Sequence, residues 1–293
     1  MKKLAYFLVA TLFTFAAAGT SARADKIEKD IPYSDPPVER NILDVYAPDD
    51  AKNAPVVFWI HGGGWQAGDK SKVALKPKAF VEKGYVFVST NYRLFPNVDM
   101  ETIHADCAKA LGWTYKNIAK HGGDPQRIIV GGHSAGAELA ALLCADFSYI
   151  KAAGVPPAAI KACIPVDGDT YDIPLQIEVA REARKPEDKA TEPKFGHYMK
   201  FGADPAKHKN FSTINHLAPN KGIAPYFVLY VADNVSTTRQ AKILGKKLDE
   251  AGIENLMFGA PATNHNKVND DIGLPDDPAT KALFPFLAKA TAK

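Results

Sequence analysis

Gly132-His133-Ser134-Ala135-Gly136 follows the apolar run Arg127-Ile128-Ile129-Val130 and leads into an alanine-rich stretch over residues 138–145. A strand, then Gly-x-Ser-x-Gly, then a helix is the arrangement that exposes a serine hydroxyl at the top edge of a sheet. The turn is so tight that the serine backbone is strained, and glycines on either side leave the space a Cβ would fill. The helix start behind the serine directs free N–H groups and a positive dipole end toward charge developing at its oxygen. The chemistry this prepares is attack by Ser134 on an acyl carbonyl.

Such an attack builds negative charge on the carbonyl oxygen, which needs preset N–H donors. His61-Gly62-Gly63-Gly64-Trp65 follows Val56-Val57-Phe58-Trp59-Ile60, a continuous apolar run of the kind that forms a fully buried strand. Taken alone, the glycine run reads equally as a tight strand-to-loop turn. With the serine motif following it in the chain, the N–H groups of Gly63 and Gly64, joined by Ala135, become the expected oxyanion donors. Trp65 is placed beside the substrate.

These motifs, together with Asn91-Tyr92-Arg93-Leu94 and Gly123-Asp124-Pro125, resemble the α/β-hydrolase superfamily, and within it the carboxylesterase/lipase and kynurenine-formamidase-like branch. The resemblance runs from about Ile42 to the C-terminus. It implies an α/β fold with a doubly wound, mostly parallel sheet, and a Ser, Asp, His triad in that chain order. On that order the base is His265, which follows the apolar run 255–259 and is the last histidine of the chain. The acid is expected at Asp233, just past the run 226–231, where it would fix the tautomer of His265 and stabilise its imidazolium. Val231-Ala232-Asp233-Asn234 departs from the small glycine turn usual there, and Asp270 and Asp271 are the alternatives. Asp167, at the end of another strand, is a pocket candidate. Glu138, one helical turn after Ser134, is read as support for the serine turn, and Asp106 as a structural partner. His133 is the variable residue of the serine motif. His104, His121, His197 and His208 fit no position in the pattern and are expected at the surface. No histidine stands at a metal-ligand spacing with Cys or carboxylates, and neither a metal nor a cofactor is implied.

The N-terminus has the form of a signal peptide. Lys2 and Lys3 supply the positive start, residues 4–18 the apolar core and Ala22-Arg23-Ala24 a small-residue cleavage site. Removing residues 1–24 lowers Lys plus Arg from 36 to 33, equal to the 33 Asp plus Glu. The basic excess therefore belongs to the leader, and nothing points to nucleic acid or, after cleavage, a membrane as partner. The expected location is the periplasm or the exterior. Cys107, Cys144 and Cys163 are an odd count on helix and strand patterns, read as buried free thiols. Oligomeric state is left open.

Residues 25–293 suffice for one α/β domain. Strand patterns at 43–46, 56–60, 85–90, 127–131, 160–166, 226–231 and 255–259 alternate with helical ones. Among the latter are Ile103, Cys107, Ala110, Leu111, Tyr115 and Ile118 at helix spacing, Ile243, Leu244 and Leu248, and a last helix over 279–290. Residues 168–225 break the rhythm and are read as a cap-like insertion over the catalytic edge. Its mixed-sign charges (Arg181, Glu182, Arg184, Lys185, Glu187, Asp188, Lys189) form a solvated face. Phe195, Tyr198, Met199, Phe201 and Phe211 are either its underside or a satellite core.

The expected activity is hydrolysis of a small-molecule carboxylic ester, of short-acyl, aryl or carbohydrate type, through an acyl-enzyme. The rivals are an amidase or arylformamidase and a catalytically inactive binding protein on the same fold; retention of both Ser134 and His265 speaks against the second.

Overall fold

A computed structural model describes residues 25–183 and 196–292. Residues 1–24, residues 184–190 of the charged run and Phe195 lie outside the described residues.

Eight strands form one sheet in the order β1-β2-β4-β3-β5-β6-β7-β8. They are β1 (Asp25–Pro32), β2 (Ile42–Pro48), β3 (Ala54–Ile60), β4 (Val86–Thr90), β5 (Gly123–His133), β6 (Ile160–Val166), β7 (Tyr226–Val231) and β8 (Asn255–Ala260). From β4 to β8 every neighbouring pair is parallel, and β2 runs antiparallel to both β1 and β4. This is the doubly wound, mostly parallel sheet expected. β1 was not anticipated: DKIEKDIP is mostly charged, and an edge strand of this kind lacks an apolar face to reveal it.

The central strands read as near-continuous apolar runs because both faces are covered. In β3, Val56, Phe58 and Ile60 belong to one core cluster and Val57 and Trp59 to the other. The first face carries α2 (Met100–Asn117), α3 (Ala135–Ala145), α4 (Phe147–Ala152) and α8 (Val235–Glu250); the second carries α1 (Lys76–Glu82) and α10 (Pro278–Ala290). Side chains cap the starts of α2 and α8: Asp99 accepts from the Thr102 N–H at α2, and Asn234 from Ser236 and Thr237 at α8. Between β6 and β7 the chain forms α5 (Ile173–Glu182), α6 (His197–Phe201) and α7 (Pro205–Phe211). Phe201 and Phe211 from this segment are buried in the first core, whereas Met199 is 48% exposed. The three cysteines are free and buried. No helix among the described residues is long and apolar enough to cross a membrane.

Candidate active site

Ser134 sits between β5 and α3 with φ +57° and ψ −121°, far from any relaxed conformation of an L residue. Two close approaches make the turn possible. A Cβ on Gly132 would lie 2.2 Å from the Gly136 carbonyl oxygen, and one on Gly136 would lie 2.2 Å from the carbonyl oxygen of Ile60 in β3. The glycines are therefore required by backbone packed on backbone. The N–H of Ser134 donates to the Val166 carbonyl at 2.9 Å, which ties the serine to the end of β6.

His265 opens α9 (His265–Asp270), whose start is capped by the Asn264 side chain accepting from Asn266 and Lys267. Its Nδ1 bonds Asp167 Oδ2 at 2.7 Å. Asp167 directly follows β6, its carboxylate fully buried and its backbone left-handed at φ +48°. Its N–H donates to the Leu229 carbonyl, and its Oδ1 accepts from the Val231 N–H at 2.9 Å, so both its backbone and its side chain are anchored to β7. The hydrogen bond to Asp167 raises the His265 pKa above its ordinary value, against the opposing effect of burial.

The acid beside His265 is thus Asp167, and the expectation for Asp233 is corrected. Asp233 is exposed and makes no bond to His265 among the described residues. After β7 the chain turns at once into α8, with Asn234 as its cap, and Asp233 is left at the solvent edge of that turn. The alternatives are engaged elsewhere: Asp271 pairs with Lys267, and Asp270 accepts from Asn269 Nδ2.

His133 has a part that the sequence did not reveal. Its Nε2–H donates to the His265 carbonyl at 2.8 Å, and the two rings lie 4.5 Å apart. Burial, then the neighbouring His265, lowers its pKa to about 3, so it is a neutral donor that holds the His265 backbone. Burial likewise lowers His61 to about 4. That ring stacks on Tyr92 at 4.3 Å, donates from Nδ1 to the Gly62 carbonyl and accepts at Nε2 from Arg40. It shapes the glycine loop and stays uncharged.

In that loop Gly63, Gly64 and Trp65 take φ of +115°, +59° and +61° in succession. The Gly63 carbonyl accepts from both Gln66 and Ala67, closing a tight turn. The N–H groups of Gly63 and Gly64 have no acceptor among the described residues, and Ala135 opens α3 with no partner inside the helix. Gly62 approaches the serine closely: a Cβ there would lie 2.9 Å from that of Ser134. Gly63, Gly64, Ser134 and His265 line one pocket of about 500 Å³, together with Trp59, His61, Asp69, Lys72, Asn266, Asn269 and Asp270. Trp65, expected beside the substrate, does not line this pocket: its ring is buried under α6, edge-on to His197 and Phe201. Among the described residues no group of three or more His, Cys, Asp or Glu side chains is placed to hold a metal ion.

His104 departs from its expected surface position. It is fully buried and bonds Glu138, also fully buried, at 2.8 Å. Asp106 is the structural partner expected, held by Arg93 at 2.7 and 2.8 Å.

Residues 43–248 match the BD-FAE family model. The chain belongs to the BD-FAE family. The match takes in the strands β2 to β7 that carry Ser134 and Asp167. Among curated relatives, this BD-FAE chain is 29% identical over 254 residues to esterase LipQ of Mycobacterium tuberculosis, an alignment covering 81% of the chain and 56% of that protein. It is 34% identical over 117 residues to isoprenylcysteine alpha-carbonyl methylesterase ICME of Arabidopsis thaliana, covering 40% of the chain and 27% of the relative. The chain thus spans about half the length, or less, of these relatives. Its fold is shared with a truncated carbohydrate esterase from gut microbiota (TM-score 0.70, 18% identity, 94% of this chain and 99% of the other). Esterase B of Lactobacillus rhamnosis has the same fold (TM-score 0.70, 21% identity, 91% and 86%).

Proposed function

We propose that this chain is a serine hydrolase of carboxylic esters, with Ser134 as nucleophile, His265 as general base and Asp167 as the triad acid. The observation that carries the reading is the 2.7 Å bond from His265 to the buried Asp167, beside a strained serine in the same pocket. Relatives named as esterases support the choice of ester.

In the reaction, neutral His265 takes the proton of Ser134 at Nε2 as Oγ attacks the ester carbonyl. Asp167 holds the Nδ1 proton and stabilises the imidazolium. The N–H groups of Gly63, Gly64 and Ala135 receive the oxyanion in place of water, without reorganisation. The intermediate collapses, the imidazolium protonates the leaving alcohol, and water repeats the sequence on the acyl-serine. The charged and amide side chains of Asp69, Lys72, Asn266, Asn269 and Asp270 in the pocket lining favour soluble esters with short acyl groups. The leader at residues 1–24 supports export, which would place the mature N-terminus at Asp25 in the periplasm or outside the cell.

A fluorophosphonate probe tests the class. Labelling at Ser134, abolished in Ser134→Ala, is expected; an unlabelled, folded protein would point instead to an inactive binding scaffold. An ester panel run beside aryl formamides decides the bond, and faster formamide cleavage would reassign the chain as an amidase.

A further inference from the structure

Glu138 is buried in the first turn of α3, four residues after the nucleophile, and the triad does not use it. Its Oε2 accepts from the Trp65 indole Nε1 at 3.2 Å, and its Oε1 bonds His104 Nε2 at 2.8 Å. The far side of the His104 ring donates from Nδ1 to the Met100 carbonyl at 2.7 Å. Burial opposes charge on His104, but the Glu138 carboxylate and these bonds outweigh it and raise the His104 pKa. A hydrogen-bonded chain thus runs from the first turn of α2, through the nucleophile helix, to the side chain that ends the glycine loop.

Trp65 has reason to need an anchor. It takes φ +61°, a left-handed conformation that strains a non-glycine residue and persists only where the surroundings impose it. Its carbonyl is held by the Phe95 N–H at 2.8 Å. On the side chain, Phe201 and His197 supply packing, and Glu138 supplies the hydrogen-bond acceptor.

We infer that Glu138 is a positioning residue for the oxyanion donors: by holding the Trp65 indole against α3, it sets the Gly63–Gly64 turn relative to Ser134. The inference rests on the triad reading for its kinetic arm, because only a reacting enzyme reports the position of the donors through rate. Serine and donor loop come from different elements, α3 and the loop after β3. The Glu138–Trp65 bond is a direct side-chain link between them, clamped from behind by His104.

The test compares Glu138→Met, Glu138→Gln and Trp65→Phe. Met removes the acceptor at similar length. Gln restores it, since its oxygen can accept from Trp65 while its amide donates to neutral His104. Phe keeps the ring and removes the N–H. We expect kcat to fall roughly 10- to 100-fold in Glu138→Met and Trp65→Phe, below the loss of about 10²–10³-fold for deleting one oxyanion donor outright. KM should stay within about twofold, most of the rate should return in Glu138→Gln, and the double variant should be no slower than Glu138→Met. Hydrogen exchange supplies an arm independent of activity: the amides of Gln66 and Ala67, whose bonds to the Gly63 carbonyl close the turn, should exchange at least about tenfold faster in Glu138→Met, with β5 unchanged. Unchanged exchange in this loop, or full kcat in a folded Trp65→Phe, overturns the inference. If Glu138→Met fails to fold, Trp65→Phe carries both arms alone. If the wild type neither labels at Ser134 nor turns over esters, the triad reading fails, and the exchange arm still decides the anchor.

Discussion

Replacing Asp167 by Asn separates the two candidate acids, and its effect can be worked from the carboxylate's two bonds. Oδ1 accepts the Val231 N–H at 2.9 Å, and Oδ2 accepts from His265 Nδ1 at 2.7 Å. An asparagine in the same pose can offer oxygen to only one of them. With the oxygen on Val231, the amide NH2 donates to Nδ1, the ring proton moves to Nε2, and His265 cannot take the serine proton. With the oxygen on His265, NH2 faces the Val231 N–H and a buried donor is left unmet. That costs about 1–3 kcal/mol, leaving roughly one molecule in six to one in 150 with the working tautomer. The neutral amide also forfeits the charge-assisted bond to the imidazolium, about 1.5–3 kcal/mol or another 10- to 150-fold. Together these predict a fall in kcat/KM of about 10²–10⁴-fold, the upper end matching the loss for the equivalent change in the serine-protease template. Asp233→Asn, at an exposed turn, should stay within about twofold. The assay is turnover of a soluble acetate ester across pH. In the wild type, activity should rise with pH through a half-point above the ordinary histidine value, because Asp167 raises the His265 pKa and only the neutral ring accepts the proton. In Asp167→Asn that limb should move to lower pH, since the raising cause is gone. A mild Asp167→Asn with a thousandfold loss in Asp233→Asn would refute the reasoning.

Ser134→Ala should lower ester turnover by on the order of a million-fold with an unchanged circular dichroism spectrum; retained turnover would remove Ser134 from the mechanism. Soluble acetate and butyrate esters should be cleaved faster than long-chain triglyceride emulsions, because Asp69, Lys72 and Asp270 set charged groups in the pocket lining that a long acyl chain would have to pass; the reverse order would contradict this reading of the pocket. Lys76 is fully buried under α9, donating to the Asn269 carbonyl at 2.7 Å with its Nζ 5.1 Å from the Trp59 ring centroid, and burial lowers its pKa to about 7. The unfolded chain therefore holds more protons than the folded one between about pH 7 and 10, so stability rises with pH there, by roughly 2–3 kcal/mol from pH 7 to 9. Urea melts should show this gain in the wild type and lose it in Lys76→Met; a parallel pH dependence in both would exclude Lys76 as its source.

The places of Ser134, His265 and the glycine loop could be read because the local chain marks them: a glycine pair that a Cβ would break, a glycine run after a buried strand, or the last histidine of the chain, just past its last strand. The carboxylate beside His265 could not, for a reason of topology. Asp167 and Asp233 end neighbouring parallel strands, β6 and β7, at the same edge of the sheet, and either strand can deliver a carboxylate to a base arriving from beyond β8. Chain order allows both, since each lies between Ser134 and His265. What decides is local backbone. Asn234, not Asp233, accepts the first amides of α8, so the turn after β7 is committed to starting a helix. Asp167 has no helix to start: it takes a left-handed φ, and its carboxylate caps the end of the next strand while it meets His265. Val166-Asp167-Gly168 at a strand end was the available signal. The buried Glu138–His104 pair was harder still. Glu138 lies in an otherwise apolar helix, and His104 is 34 residues earlier on another one, so neither shows its partner in sequence. Burying a carboxylate without a partner is costly enough to exclude, so a glutamate in the first turn of a fully buried α3 already required a buried donor. Which donor it is, and that it shares the carboxylate with the tryptophan of the donor loop, emerges only when α2, α3 and the loop after β3 are brought together over one face of the sheet.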